Sequence, residues 1–267
     1  MPAPTPAGAR APARRIVSIA PSTTEALFAI GAGPRVVGVS RFCDYPPEVR
    51  ALPKVGGFTD PSLEAIIALG ADLVVGARSP SNRGVVTQLE ARGVGVYFPV
   101  NDSLRETREL LRGLGELTGN RDGAARAIAR MDEQLEEIRS ALAGRPRPRV
   151  LLVFAERPLS VAGPGSFGDE MLVAAGGDNV VKRGGEYPTL GVEAVLDLAP
   201  DVILVAREAM DSDRTQSIDW ARYPSIPAVR DGRVVRVADA SVLRPGPRIG
   251  DGVRVLAHAL HPSATLP

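Results

Sequence analysis

A thirteen-residue segment occurs twice in this chain. Leu63-Glu64-Ala65-Ile66-Ile67-Ala68-Leu69-Gly70-Ala71-Asp72-Leu73-Val74-Val75 returns as Val192-Glu193-Ala194-Val195-Leu196-Asp197-Leu198-Ala199-Pro200-Asp201-Val202-Ile203-Leu204. Glutamate, alanine, leucine and aspartate recur at identical spacing, and most other positions exchange one apolar residue for another. Each copy reads as a helix, a turn and a buried strand. A chain that carries this unit twice, on either side of a long intervening segment, is expected to fold as two similar halves. At 267 residues it is long enough for two lobes with their own cores.

The surrounding pattern supports that division. Ile16–Ala20 is a short β-branched run ended by Pro21, and Ser22 with Glu25 three residues later reads as a capping box opening a helix that stops at Gly31/Gly33. Val36–Val39, Leu73–Gly76 and Val94–Phe98 read as strands; Leu63–Leu69 and Val85–Ala91 read as helices. In the second half, Arg149–Phe154, Val202–Val205 and Val234–Val237 read as strands. Gly168–Ala175, Val192–Leu198 and Ile249–Leu260 read as helices. Strands alternating with helices predict parallel sheets covered on both faces. Between the halves, Ala124, Ile128, Met131, Leu135, Ile138 and Leu142 form one apolar stripe at helical spacing over Asp122–Ala143. That helix would be roughly 33 Å long.

The fold class is therefore α/β: two Rossmann-like lobes with central parallel sheets, joined by a single long helix, with a ligand cleft between the lobes. The expected organisation is a flexible Pro/Ala-rich tether over 1–14, an N-terminal lobe over 15–121, the interlobe helix over 122–144 and a C-terminal lobe over 145–267. The opening MPAPTPAGARAPARR has no apolar run of signal-peptide type. It reads either as a ragged start or as the spacer of a processed export product or lipoprotein.

Composition closes off several functions. Basic and acidic residues nearly cancel, with a net charge of +1, which argues against nucleic-acid binding through a bulk positive field. No apolar stretch is long enough to span a bilayer. Cys43 is the only cysteine, so neither an internal disulfide nor a cysteine metal cluster is available. It reads as a small buried hydrophobe rather than a nucleophile, because the only histidines, His258 and His261, lie near the C-terminus. Nucleophile-elbow, P-loop and dinucleotide motifs are absent. Asp44 with Tyr45, or Glu156 with Arg157, offer acid–base groups without a partner that spacing can place.

Ligands of parallel α/β sheets sit at the carboxyl ends of the strands. The loops there carry Arg41 to Pro47, Arg78 to Ser81, Asn101-Asp102, Glu156-Arg157, Tyr187-Pro188, Arg207-Glu208 and Leu243 to Gly246. Aromatic residues are only 4% of the chain, yet Phe42, Tyr45, Phe58 and Tyr187 all fall in these loops, a pattern that suits a flat apolar ligand. Arg78, Arg207 and Arg244 are candidates for gripping its polar groups. Nearly all basic residues are arginine, so an arginine alone carries little information.

Ile16–Thr24 (IVSIAPSTT), Val39–Val49 (VSRFCDYPPEV), the Leu63–Val75 unit, the connecting helix and Arg244–Ile249 (RPGPRI) together resemble the periplasmic cobalamin-binding family of ABC importers. More broadly, they resemble the helical-backbone class of receptors for cobalamin, haem and iron–siderophores. The likeness runs in order over about residues 15–262. It implies a monomeric extracytoplasmic receptor, periplasmic or lipid-anchored, and not an enzyme. Such a receptor holds a metal chelate between lobes that move little and needs no resident cofactor or metal. The ligand-contacting rings of the family fall on Phe42, Phe58 and Tyr187, its cleft arginine on Arg244, and its permease-docking glutamates on Glu64 and Glu193. Near Ala77 the tryptophan of the cobalamin receptors is missing, and other rings are exchanged. Cobalamin or another corrinoid is the leading ligand. Haem, with Tyr45 or Tyr187 as iron ligand, and a siderophore, with Arg78, Arg207 and Arg244, are alternatives. A two-lobed cytosolic enzyme acting on a metal chelate, or a sensor domain without a permease, are the rival readings.

Overall fold

The computed structural model describes residues 11–206 and 217–267. The first ten residues of the expected tether, and Arg207 with Glu208, lie outside the described residues. The chain forms two compact units, one running to Asn101 and including Arg105–Arg130, the other comprising Asp102–Leu104 and Met131–Pro267.

The first half contains β1 (Ile16–Ser18), α1 (Pro21–Ala29), β2 (Val36–Val39), α2 (Leu63–Ala68), β3 (Leu73–Val75), α3 (Arg83–Glu90), β4 (Gly95–Tyr97) and α4 (Leu104–Thr118). Helix α5 (Arg121–Ala141) carries the chain onward. The second half contains β5 (Arg149–Glu156), β6 (Leu159–Val161), α6 (Phe167–Ala174), β7 (Asp178–Asn179) and β8 (Thr189–Leu190). It continues with α7 (Val192–Leu198), β9 (Val202–Ala206), α8 (Pro227–Arg230), β10 (Val234–Val237) and α9 (Ile249–Leu260).

The first sheet has the order β2-β1-β3-β4 and is parallel throughout. The second runs β10-β9-β5-β6-β8, with β7 pairing β5. Its pairs β10–β9, β9–β5 and β5–β7 are parallel, whereas β6 and β8 join antiparallel. With β6 and β8 set aside, the order β7-β5-β9-β10 repeats that of the first sheet, and the helices fall at the same places in both. The duplication legible in thirteen residues thus extends to the topology of both units. Strands β6 and β8 are an insertion that the sequence pattern did not reveal, because each is only two or three residues long.

The recurring residues of the repeat have structural reasons. The Asp72 carboxylate accepts hydrogen bonds from the backbone N–H groups of Arg14 (2.8 Å) and Arg15 (3.1 Å), and the Arg15 guanidinium donates to the Leu69 carbonyl at 2.7 Å. In the second unit Asp201 accepts from the Arg149 N–H at 3.0 Å, and the Arg149 guanidinium donates to the Leu198 carbonyl at 2.7 Å. The same latch therefore ties each helix–turn–strand unit to its neighbouring strand. The turn needs a left-handed residue: Gly70 supplies it at φ +58°, and Ala199 occupies the equivalent place at φ +42°.

Both sheets are covered on both faces, as their continuous apolar strands require. Ile16, Leu73 and Val75 face one core of the first unit, while Val17, Ile19 and Val74 face the other. Val150, Leu152 and Leu204 against Leu151, Val153 and Ile203 do the same in the second. The α5 stripe is buried as its spacing predicts. Ala124, with Ile128 beside it, belongs to a first-unit core; Met131, Ile138 and Leu142, with Leu135 beside them, belong to a second-unit core.

Two expectations change. Ser22 is not a helix cap: α1 starts at Pro21, whose fixed φ suits a first helical position, and the cap position is Ala20 without a side-chain bond. Ser22 and Glu25 are buried inside the helix instead. Helix α4 was not anticipated, although Leu110, Leu111 and Leu114, at helical spacing, are fully buried.

Candidate functional site

In the first unit, the loop after β2 is held from several sides. The buried Cys43 thiol hydrogen bonds to the hydroxyls of Thr24 (3.1 Å) and Ser40 (3.2 Å), which confirms a packing role for this cysteine. Thr24 in turn donates to Ser18 at 2.8 Å, so a chain of hydroxyls and the thiol ties β1, α1 and this loop together. Lys54 Nζ donates to the carbonyls of Cys43 (3.3 Å) and Val49 (3.0 Å). Arg41 pairs with Asp60 at 2.8 Å and lies 5.0 Å from the Phe42 ring centroid. A buried anchor with clamped flanks leaves Phe42 and Tyr45 projecting, 51% and 43% exposed. Large apolar rings held outward by a rigid loop are a ready platform for a flat ligand.

Phe58 is partly buried in the neighbouring 56–60 turn, where the Arg41–Asp60 pair closes over Gly57: a methyl there would lie 2.2 Å from Asp60 Oδ1 and 2.6 Å from the Arg41 guanidinium, and the pair would have to shift. Arg78 is exposed, and its Nε donates to the Phe98 carbonyl at 3.4 Å.

In the second unit, Tyr187 is 44% exposed and stands edge-on to Phe154, with ring centroids 5.8 Å apart. Its loop rests on Gly163, whose N–H donates to the Glu186 carbonyl at 2.8 Å. A Cβ at Gly163 would meet the Gly185 oxygen at 1.9 Å and Pro188 Cδ at 2.7 Å. Gly163→Ala is therefore expected to cost about 1–3 kcal/mol through overpacking, read as a lower midpoint of thermal unfolding. An unchanged midpoint would show that the loop gives way freely. Arg244 is partly buried in the segment between β10 and α9, where Asp239 accepts from the Ser241 N–H (2.9 Å) and hydroxyl (2.6 Å).

The acid–base candidate Glu156 is structural. Its buried carboxylate accepts from the Ile218 N–H (3.1 Å) and from Trp220 Nε1 (2.9 Å), an indole that sequence reasoning passed over. A cavity of about 350 Å³ opens beside it, lined by Arg157, Leu190, Asp219, Arg222 and Tyr223 among others. None of the candidate ligand residues among the described residues lines it. His261 is buried too, with its ring nitrogen 3.3 Å from the Gly176 carbonyl, and burial pushes its pKa below the usual histidine value. Among the described residues no group of histidine, cysteine and carboxylate side chains is placed to hold a metal ion, and no helix is long and apolar enough to cross a membrane.

Glu64 and Glu193 are both exposed in the first turns of α2 and α7. The Ser62 hydroxyl donates to Glu64 at 3.2 Å.

Residues 16–240 match the family described as periplasmic binding protein. The vitamin B12-binding protein of Salmonella typhimurium is 31% identical over 218 residues, which is 81% of each chain. A solved periplasmic haem-binding protein from Pseudomonas aeruginosa superposes with a TM-score of 0.80 at 30% identity, covering 96% of this chain and 95% of its own. The periplasmic vitamin B12-binding protein BtuF of Vibrio cholerae superposes with a TM-score of 0.78 at 26% identity, covering 93% of this chain and 97% of its own.

Proposed function

The chain belongs to the periplasmic binding protein family, and from that premise we propose that it is an extracytoplasmic receptor that captures a corrinoid, cobalamin first, and delivers it to an ABC importer. The observation that carries the ligand is that relatives named for vitamin B12 binding align along most of their length. Exposed rings on rigid supports, Phe42 and Tyr45 in one unit and Tyr187 in the other, agree with it. Phe42, Phe58 and Tyr187 would cover the flat faces and edges of the corrin. Tyr45, Arg78, Arg244 and Arg207, the last outside the described residues, would meet its amide side chains as hydrogen-bonding groups. The chain itself performs no chemistry in this role. It desolvates the ligand and fixes its orientation for release, through Glu64 and Glu193 docking on a permease dimer.

Haem is the second reading, favoured by the haem-binding neighbour and by the exposed side chains of Tyr45 and Tyr187, residues of a type that can ligate iron. Calorimetric titration with cyanocobalamin and with haemin separates the two. Saturable heat with cyanocobalamin alone is expected. Heat with haemin alone replaces the ligand, and no heat with either overturns both readings.

A further inference from the structure

Helices α2 and α7 share more than a glutamate. Taken residue by residue, their exposure runs the same way: partly buried, exposed, partly buried, buried, exposed, exposed, partly buried, over residues 63–69 and again over 192–198. The fifth position is unusual in both. Ile67 is 42% and Leu196 37% exposed, two of only seven large apolar side chains so exposed among the described residues. They are also the only two of those seven that the internal repeat superposes. Each follows its glutamate by three residues, so on the helix surface the carboxylate and the aliphatic group are neighbours on one face.

Exposed aliphatic residues scattered singly need no explanation. An aliphatic side chain left uncovered at the same repeat position in both units does, because positions beside the shared pattern have changed character: the place of Ala68 is taken by Asp197, and that of the Ser62 cap by Gly191, in the second copy. A carboxylate with an aliphatic side chain beside it fits a pocket with a basic group and an apolar wall. Two copies of that patch on one chain fit a partner that presents the same pocket twice, as a two-fold symmetric dimer does.

We infer that Ile67 and Leu196 are the apolar halves of two matched docking patches, each completing the contact that Glu64 or Glu193 begins, and that their partner is the homodimeric permease. The inference rests on the proposed receptor role. The glutamates steer and orient, and the aliphatic side chains, once covered, slow dissociation.

The test uses the purified full chain with cyanocobalamin bound, and the detergent-solubilised ABC permease of the same genome whose ATPase it stimulates. The concentration of chain giving half-maximal stimulation is measured for wild type, for Ile67→Ser/Leu196→Ser, for Glu64→Ala/Glu193→Ala, and for Val173→Ser. Val173 is 52% exposed and lies outside the thirteen-residue repeat, so it controls for general surface apolarity. The Ile67/Leu196 variant is expected to need about tenfold more chain, with cyanocobalamin affinity and melting midpoint unchanged, while Val173→Ser behaves as wild type. Stimulation by Ile67→Ser/Leu196→Ser at the wild-type concentration overturns the inference, as does an equal loss with Val173→Ser. If the glutamate variant is impaired in either case, the receptor role stands without it. Failure of the wild-type chain to stimulate any permease of the genome overturns the receptor role and the inference together.

Discussion

Glu64→Ala combined with Glu193→Ala is expected to abolish delivery of ligand to the permease while leaving cyanocobalamin affinity unchanged. Both carboxylates stand exposed in first turns of equivalent helices, so neither supports the core. A carboxylate whose arginine partner becomes covered on docking contributes about 2–5 kcal/mol on truncation, and loss of two such contacts removes the complex at working concentrations. Each single variant should retain partial delivery. Transport into proteoliposomes gives the first quantity and calorimetry the second. A fall in ligand affinity would place these carboxylates in the binding site instead.

The rings give the second large effect. Phe42→Ala, Phe58→Ala and Tyr187→Ala are each expected to weaken cyanocobalamin binding by about 1–3 kcal/mol, the usual cost of truncating a buried aromatic contact. Phe42 should be the most informative. Its ring is half exposed and its loop is anchored by Cys43, Lys54 and the Arg41–Asp60 pair, so removing it changes the platform without emptying a core. Tyr187→Phe keeps the edge contact with Phe154 and should bind nearly as wild type unless the phenol meets the ligand. Unchanged affinity in all three alanine variants, measured by calorimetry, would remove the rings from the ligand's path.

Much of this architecture is legible in the chain because burial writes itself into spacing. The α5 stripe from Ala124 to Leu142 and the helix Ile249–Leu260 follow from apolar period alone. The repeat around Glu64 and Glu193 exposed a duplication whose full extent, the shared strand order, only the sheets reveal. What could not be read was local and polar. The Ser22–Glu25 pattern looks like a cap, but Pro21 begins the helix first, and tertiary contacts take Ser22 and Glu25 inside. Strands β6 and β8 are too short to carry a period. Trp220 gave no signal because its partner, Glu156, is 64 residues away in sequence. For the site, the sequence marked which loops carry rings. It did not show that Cys43 holds one of those loops, since a thiol between two hydroxyls depends on contacts made by the folded chain.

The central proposal is that loops at the carboxyl ends of the strands in each unit take part in binding the ligand. Hydrogen–deuterium exchange with and without saturating cyanocobalamin tests it most directly. Slowed exchange is expected in residues 40–47 and 56–60 of the first unit and, at the same ligand concentration, in 184–188 and 240–248 of the second. Protection confined to one unit, or absent from all four segments while cyanocobalamin is bound, would contradict the account.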